Sequence, residues 1–166
     1  MKTMMDRYYQ LLVTVANSLQ SPFLLAIRLY WGWQFIEAGW GKVNNIEKVT
    51  GFFTTLGIPF PALNAHFVAG VELIGGLLLV LGLASRLTGM VLTVNMLVAY
   101  VTADREALLS IFSDPDKFTG ATPYTFLFAS LIVLIFGAGK LSADAWIASK
   151  NRQDTSVLVA AQAMSA

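Results

Sequence analysis

The chain contains no cysteine and only one histidine, His66. Without cysteine there can be no structural disulfide, no thiolate metal site and no iron–sulfur cluster held by thiolates. A single histidine likewise excludes a metal centre built from several imidazoles. We therefore expect no bound metal and no haem.

Charge is also scarce. Charged residues make up 13% of the chain and hydrophobic residues 56%, whereas soluble domains are usually about 25% charged and about 45–50% apolar. The net charge is only +1, so nothing in the composition favours a nucleic acid as partner. This balance is typical of an integral membrane protein, with the lipid bilayer as its main surrounding.

Four long apolar segments dominate the sequence. They cover residues 22–40, 67–83, 87–103 and 123–139. Each has about 17–19 residues, the lower part of the range that crosses a bilayer core as an α-helix. A helix of a soluble bundle would show a polar face at every third or fourth residue, and the second and fourth segments show none. The pattern predicts an all-α, integral membrane four-helix bundle.

A different pattern precedes the first apolar segment. Met4, Tyr8, Leu11, Val15 and Leu19 recur at helical spacing, with polar residues between them. This predicts an amphipathic helix over residues 1–21, lying in the membrane interface or packing on the bundle surface. Ser21–Pro22 is a typical helix start, with proline at the first helical position. The expected organisation is therefore an interfacial helix (1–21), a four-span membrane domain (22–146) and a flexible tail (147–166).

Basic residues are unevenly divided between the two ends of such a bundle. The side with both termini carries six of them, against four on the opposite side: Lys2, Arg7, Arg86, Lys140, Lys150 and Arg152 against Lys42, Lys48, Arg105 and Lys117. Because cytoplasmic loops are enriched in Lys and Arg, both termini are predicted to be cytoplasmic. The expected location is the cytoplasmic (inner) membrane of a bacterium, crossed several times.

One carboxylate interrupts the second apolar segment. Glu72 would lie about 16 Å deep and Arg28 of the first segment about 9 Å deep, from a helical rise of 1.5 Å per residue. Ionisable groups at such depth usually face the bundle interior and pair. We therefore predict that Glu72 pairs with Arg28, assisted by Asn95. The pair either fixes the helix register alone or forms part of a ligand or proton site.

Small and aromatic residues surround this predicted pair. Gly32 and Gly39 on the first segment, with Gly75 and Gly76 on the second, would let two helices approach closely. Lys42, at the outer edge of the first segment, is expected to anchor the helix end by extending its ammonium into water. Trp31 and Trp33 either line a pocket for a flat ligand or pack as ordinary aromatics.

Several stretches together resemble the DoxX family of small four-span membrane proteins. They are "RLYWGWQFIEAGWGKV", "FFTTLGIPFP", "GVELIGGLLLVLGLASRLTG", "NMLVAYV" and "FGAGKLSADAW". The similarity runs over residues 22–146. The positions that match the family pattern include Arg28, Gly32, Gly39, Lys42, Glu72, Gly75, Gly76, Gly82, Arg86 and Asp144. The chain departs from the pattern at the head of the fourth span, where family members often carry an acidic residue and this chain has "TPYTF".

The resemblance implies a function in redox chemistry. The family takes its name from a subunit of a thiosulfate:quinone oxidoreductase. The resemblance therefore implies an integral membrane subunit of a quinone-linked redox system, at most a membrane subunit of an oxidoreductase. Quinone is the expected cofactor, with Arg28, Glu72, Asn95, Trp31 and Trp33 as candidate binding residues. A redox protein partner would have to carry the redox centre. A proton-coupled small-molecule transporter and a membrane scaffold without activity remain alternatives, and a homo-oligomer stays open.

Overall fold

The computed structural model describes residues 2–151, and within that range it contains helices and no β-strand. Four helices are long. They are α1 (Lys2–Asn44), α3 (Pro61–Leu81), α4 (Ser85–Thr102) and α7 (Pro123–Phe136). Three short helices lie in the connections between the long ones: α2 (Ile46–Thr55), α5 (Arg105–Leu109) and α6 (Pro115–Gly120). The predicted all-α class is confirmed, and each of the four apolar segments lies largely within a long helix.

Each of the four long helices contacts two of the others. The second half of α1 runs along α3, α3 contacts α4 across a short turn, α4 runs along α7, and α7 contacts α1. Their common core consists of Phe35, Leu79, Leu92, Met96 and Val133. The turn between α3 and α4 has only three residues, 82–84, so the two helices are neighbours and antiparallel.

Helix α1 continues through Pro22, so the predicted helix start at Ser21–Pro22 is wrong. Proline within a helix removes one backbone hydrogen bond, because its nitrogen carries no hydrogen. Ending the helix there would leave four amides and four carbonyls without helical partners, which costs more. The expected boundary between residues 21 and 22 is therefore the interior of one helix. Residues 4–12 of this helix are exposed, including the apolar side chains, and their placement in a membrane interface stays a prediction.

Within residues 2–151, two helices are long and apolar enough to cross a membrane. They are the stretch Met4–Asn44 within α1, and α3. Helix α7 is apolar but has 14 residues, which gives a length of about 21 Å. The outward surface of the long helices is apolar as well, with exposed side chains that include Leu29, Trp33, Phe67, Ile74, Leu77, Leu87, Val94, Val98, Phe128 and Ile135. Lipid is the environment in which such a surface is stable.

Glycines bring α1 and α3 into backbone contact, as predicted. A side-chain carbon at Gly39 would lie 2.5 Å from the backbone nitrogen of Leu73. One at Gly76 would lie 2.6 Å from the carbonyl oxygen of Gly32. Gly75 faces the other way and makes room for the side chain of Leu92 on α4. Close approach of this kind is the usual role of small residues between membrane helices.

A further helix follows α7 in the described part of the chain. Residues 143–151 are helical up to the last described residue, so the tail predicted from residue 147 begins as a helix. The remaining tail residues, 152–166, lie outside the described part of the chain. Residues 137–142 fold this helix back beneath the turn between α3 and α4, where the amide of Asp144 donates to the carbonyl of Gly82 at 3.0 Å.

Candidate functional site

Glu72 pairs with Lys42, and the predicted pairing with Arg28 is wrong. The Lys42 ammonium donates to Glu72 Oε2. Asn95 Nδ2 donates to Glu72 Oε1 at 3.4 Å, so the expected assistance from Asn95 is confirmed. Glu72 is only 4% exposed, whereas the side chain of Lys42 is 29% exposed. We call these three residues, on α1, α3 and α4, the outer cluster.

The backbone contact at Gly39 explains this choice of partner. It places the last turns of α1 against Ala69 and Leu73 of α3, beside Glu72. Lys42 follows Gly39 by about one helical turn, so its long side chain reaches the carboxylate. Positions along the helix axes carry no information about where α1 contacts α3. They therefore predict for Lys42 only the anchoring of a helix end.

Arg28 belongs to a second cluster at the other end of the helices. It lies 14 residues before Lys42 on α1, which corresponds to about 21 Å along the axis. Its Nη2 donates to the carbonyl of Leu141, and its guanidinium contacts Gly82, where a side chain would collide with Nη1. Arg28 is 1% exposed, and Nε and Nη1 have no hydrogen-bond partner among the described residues.

Asp144 completes this inner cluster by capping α4. Its Oδ1 accepts from the Ala84 amide at 2.7 Å and its Oδ2 from the Ser85 amide at 2.9 Å. These amides belong to the helix end that α4 itself leaves unpaired, because Ala84 has no side chain that could cap it. One sequence signal exists for this contact, namely a helix start without Ser, Thr, Asp or Asn at its cap. The cap is supplied from a residue far along the chain.

Because the charged Asp144 carboxylate caps α4, we expect the protein to lose stability at acid pH. Burial works against the charge of Asp144, but the Ser85 and Ala84 amides and the positive charge of Arg28 hold the pKa of this carboxyl below its ordinary value. A carboxyl with a lowered folded pKa contributes stability above its unfolded pKa of about 3.9, and this contribution is lost as pH falls further. We expect the melting temperature of the wild type to fall more steeply between about pH 5 and pH 3 than that of Asp144→Asn. Equal slopes for the two proteins would contradict this role.

The two predicted tryptophans lie on different faces of α1. Trp31 packs edge-on against Phe126 of α7, with ring centroids 5.3 Å apart. Trp33 is 57% exposed on the outer surface. Neither is among the partners of Glu72, and the two indoles do not enclose one pocket. Of the five candidate ligand residues, the structure brings only Glu72 and Asn95 together.

An apolar groove runs between α3 and α4. Its volume is about 420 Å³, and its walls include Phe67, Gly70, Val71, Ile74, Gly75 and Leu78 of α3 with Leu87, Val91 and Leu92 of α4. His66 and Thr88 contribute the polar side chains. Asn95 lies one helical turn beyond Val91 and Leu92 on α4, so the outer cluster adjoins the groove. The groove has no signature in the sequence beyond Gly70 and Gly75, two small residues in an apolar run.

The imidazole of His66 has a defined hydrogen bond. Its Nδ1 lies 2.8 Å from the carbonyl oxygen of Ala62. A carbonyl oxygen accepts only, so Nδ1 carries the hydrogen in this contact. In the neutral ring, Nε2 is then a bare acceptor. The groove therefore presents a hydrogen-bond acceptor at the His66 end and a hydroxyl, that of Thr88, at the other.

Comparison with known proteins gives one family and two related chains. A family model described as DoxX matches residues 23–105. A Bacillus subtilis (strain 168) protein named "Putative oxidoreductase CatD" is 28% identical over 123 residues, which cover 74% of this chain and 85% of the relative. An uncharacterized protein of Haemophilus influenzae (strain ATCC 51907 / DSM 11121 / KW20 / Rd) is 30% identical over 128 residues, 75% of this chain and 82% of the relative. No solved structure gives a significant match.

Proposed function

The chain belongs to the DoxX family, and we propose that it is the membrane subunit of a quinone-linked redox system. Two findings support a membrane protein associated with redox chemistry. The helices expose apolar side chains over most of their length, and one relative carries the name of an oxidoreductase. The sequence offers no thiolates and only one histidine, so a partner protein would supply the redox centre.

The observation that carries the quinone proposal is the groove between α3 and α4. Its volume of about 420 Å³ falls within the range of about 300–1,000 Å³ for small-molecule sites. The walls are apolar apart from His66 and Thr88, which is the composition that suits a ring with a hydrocarbon tail. From His66 to Leu78 the groove extends over 12 residues of α3, about 18 Å, long enough for the ring and part of its tail.

We place the ring at the His66 end of the groove. Nε2 of the neutral imidazole can accept a hydrogen bond from a hydroxyl of the reduced ligand. Gly70 lies one turn further along α3 and lines the same groove, where its lack of a side chain leaves space. Ile74, Leu78 and Leu87 then provide an apolar path for the tail. A bound quinone would supply two-electron redox chemistry, and His66 would accept the hydrogen bond of a hydroxyl in the reduced form.

Three of the five candidate ligand residues predicted from the sequence lie outside the proposed site. Arg28 lies in the inner cluster, Trp31 packs on Phe126 and Trp33 faces outward. Glu72 and Asn95 keep a role beside the groove. Lys42, which touches Glu72 and is partly exposed, connects this buried carboxylate with the surface. The outer cluster therefore provides polar groups between the groove and water.

Filling the groove at Gly70 tests the proposal. A side-chain carbon at Gly70 meets nothing within 4 Å, so Gly70→Leu should fold while it occupies the space for the ring. We expect the Kd for a short-chain quinone to rise at least about tenfold, which corresponds to 1.4 kcal/mol of lost binding. Gly41→Leu is the matched control, because Gly41 also has open space around it and lies outside the groove. Binding is measured by calorimetric titration in detergent.

The outcomes separate the candidate functions. Saturable binding that Gly70→Leu weakens and Gly41→Leu leaves unchanged supports a quinone subunit. His66→Phe should weaken binding of the corresponding short-chain quinol, since phenylalanine keeps the ring shape and removes the acceptor for the quinol hydroxyl. If the wild type shows no saturable binding, or if both glycine variants behave alike, the quinone site is wrong. A carrier or a scaffold would then be the better assignment.

The orientation of the chain is part of the same proposal. We place both termini in the cytoplasm, on the argument from basic residues, with the bundle in the bacterial inner membrane. Because the chain has no cysteine, single cysteines can be introduced and labelled with an impermeant reagent. Asn45→Cys and Asp116→Cys should react in intact cells, and Lys140→Cys and Lys150→Cys only after permeabilisation. The reverse pattern would show that the orientation is inverted.

A further inference from the structure

A second cleft lies at the inner ends of α4 and α7, apart from the groove. Its volume is about 370 Å³, and it is lined by Ala84, Ser85, Arg86, Leu87, Gly137, Ala138 and Asp144. It therefore combines a guanidinium, a hydroxyl and a carboxylate in a small space. Neither the proposed quinone site nor the packing of the helices uses Arg86.

Two polar groups in this cleft have unused hydrogen-bonding capacity. Ser85 is 2% exposed, and its hydroxyl oxygen makes no hydrogen bond of good geometry within residues 2–151, although it lies near the Asp144 carboxyl and helps to lower the pKa of that group. The exposed guanidinium of Arg86 has no hydrogen-bond or ion-pair partner in the same part of the chain. It lies over Gly137, where an added side-chain carbon would be 3.5 Å from Nε. A buried hydroxyl without a partner costs free energy, so a ligand that bonds to it is favoured.

The backbone at the start of α4 is not the binding group. The amides of Ala84 and Ser85 already donate to Asp144. Each carboxylate oxygen of Asp144 accepts one of these bonds and keeps capacity for a further donor. The cleft thus offers a positive group at Arg86 and a negative group at Asp144, and the Ser85 residue lines the same cleft. A ligand with both a negative and a positive group matches this arrangement.

The surroundings place the cleft at the edge of the apolar surface. Leu81, Leu87 and Phe136, at the adjoining helix ends, are all exposed apolar side chains. Arg86, next to Leu87, is exposed and charged. A change from apolar to charged surface within one or two residues marks the level of the lipid headgroups. Basic pockets between membrane helices at this level are known to hold headgroups.

We propose that this cleft binds the phosphoethanolamine headgroup of a phospholipid. The phosphate accepts hydrogen bonds from Arg86 and Ser85, and the ammonium donates to Asp144. Arginine suits a phosphate because its planar fork can donate two parallel bonds. An anionic headgroup without an amine would leave Asp144 repelling the phosphate. A choline headgroup carries a positive charge but has no N–H to donate.

Native mass spectrometry of the full chain in detergent tests this proposal. Short-chain phosphatidylethanolamine, phosphatidylglycerol and phosphatidylcholine are titrated separately. We expect phosphatidylethanolamine to bind at least about fivefold more tightly than the other two, a difference of about 1 kcal/mol. Arg86→Gln should remove this preference, and Ser85→Ala should reduce it. Lys140→Gln is the matched control, because Lys140 is an exposed basic residue of the same end that does not line the cleft.

Free phosphoethanolamine separates the lipid from its soluble headgroup. Competition by the free compound would mean that the headgroup chemistry alone is recognised. A preserved lipid preference without such competition would mean that the hydrocarbon chains contribute to the same site. Equal or tighter binding of phosphatidylglycerol would overturn the proposal, since it indicates plain attraction of negative charge. Equal effects of Arg86→Gln and Lys140→Gln would overturn it too.

Discussion

Lys42→Met is expected to lower the free energy of unfolding in detergent by about 3 kcal/mol, because it leaves Glu72 as a buried charge without its partner. Removing one member of a buried ion pair usually costs 3–5 kcal/mol, and the low end applies because Lys42 keeps partial contact with water. Glu72→Leu alone leaves a partly exposed ammonium and should cost less. The double variant should recover most of the loss, since two apolar side chains can replace a buried pair.

A control with Arg28 shows whether the two clusters are separate. Arg28→Met removes a residue of the inner cluster, about 21 Å along α1 from Lys42. Its loss of stability should add to that of Glu72→Leu, because distant residues without shared partners behave independently. If the Arg28–Glu72 double variant recovered stability while the losses for Lys42 and Glu72 were additive, Glu72 would pair with Arg28 and not with Lys42. Stability is measured by titration with a denaturing detergent, with helix content as the signal.

Gly39→Ala should destabilise the protein by about 3 kcal/mol, the upper part of the usual range for overpacking. The new methyl carbon would lie 2.5 Å from Leu73 N, 2.8 Å from Leu73 Cα and 2.9 Å from Ala69 O. All three are backbone atoms, so no rotation of a side chain relieves the contact. The helices must move apart, which would also disturb the Lys42–Glu72 pair one turn away.

Gly41→Ala provides the matched control for this effect. Gly41 lies two residues further on the same helix and has nothing within 4 Å of the position of an added carbon. Alanine has the higher helix propensity, so we expect this variant to gain up to about 1 kcal/mol. Unfolding of both variants is followed in the same detergent titration. A loss of similar size at both positions would mean that the cost comes from the helix itself and not from contact with α3.

The helices and their closest contact were predictable because they depend on local composition. Apolar segments of bilayer length form helices whatever their neighbours are. Glycines at Gly32, Gly39 and Gly76 indicate a face where backbones meet, and that face is the α1–α3 contact. The sequence also identified Glu72 and Asn95 as members of one cluster. These features follow from residue type and spacing along one or two helices.

The partner of Glu72 was not predictable in the same way. Arg28 and Lys42 are both basic residues of α1, and by charge alone either could pair with Glu72. The choice between them depends on which turn of α1 contacts α3. That contact is made by Gly39 against Leu73, a three-dimensional fact that spacing alone does not give. Asp144 is a similar case. It caps a helix that begins 59 residues earlier, so local cap signals could not reveal it.

Mass spectrometry of the protein purified in mild detergent from its native membrane shows whether quinone occupies the groove between α3 and α4. We expect wild type and Gly41→Leu to carry quinone in near-stoichiometric amount, and Gly70→Leu to carry little. Quinone that is absent from the wild type, or retained equally by Gly70→Leu, would contradict the proposed site.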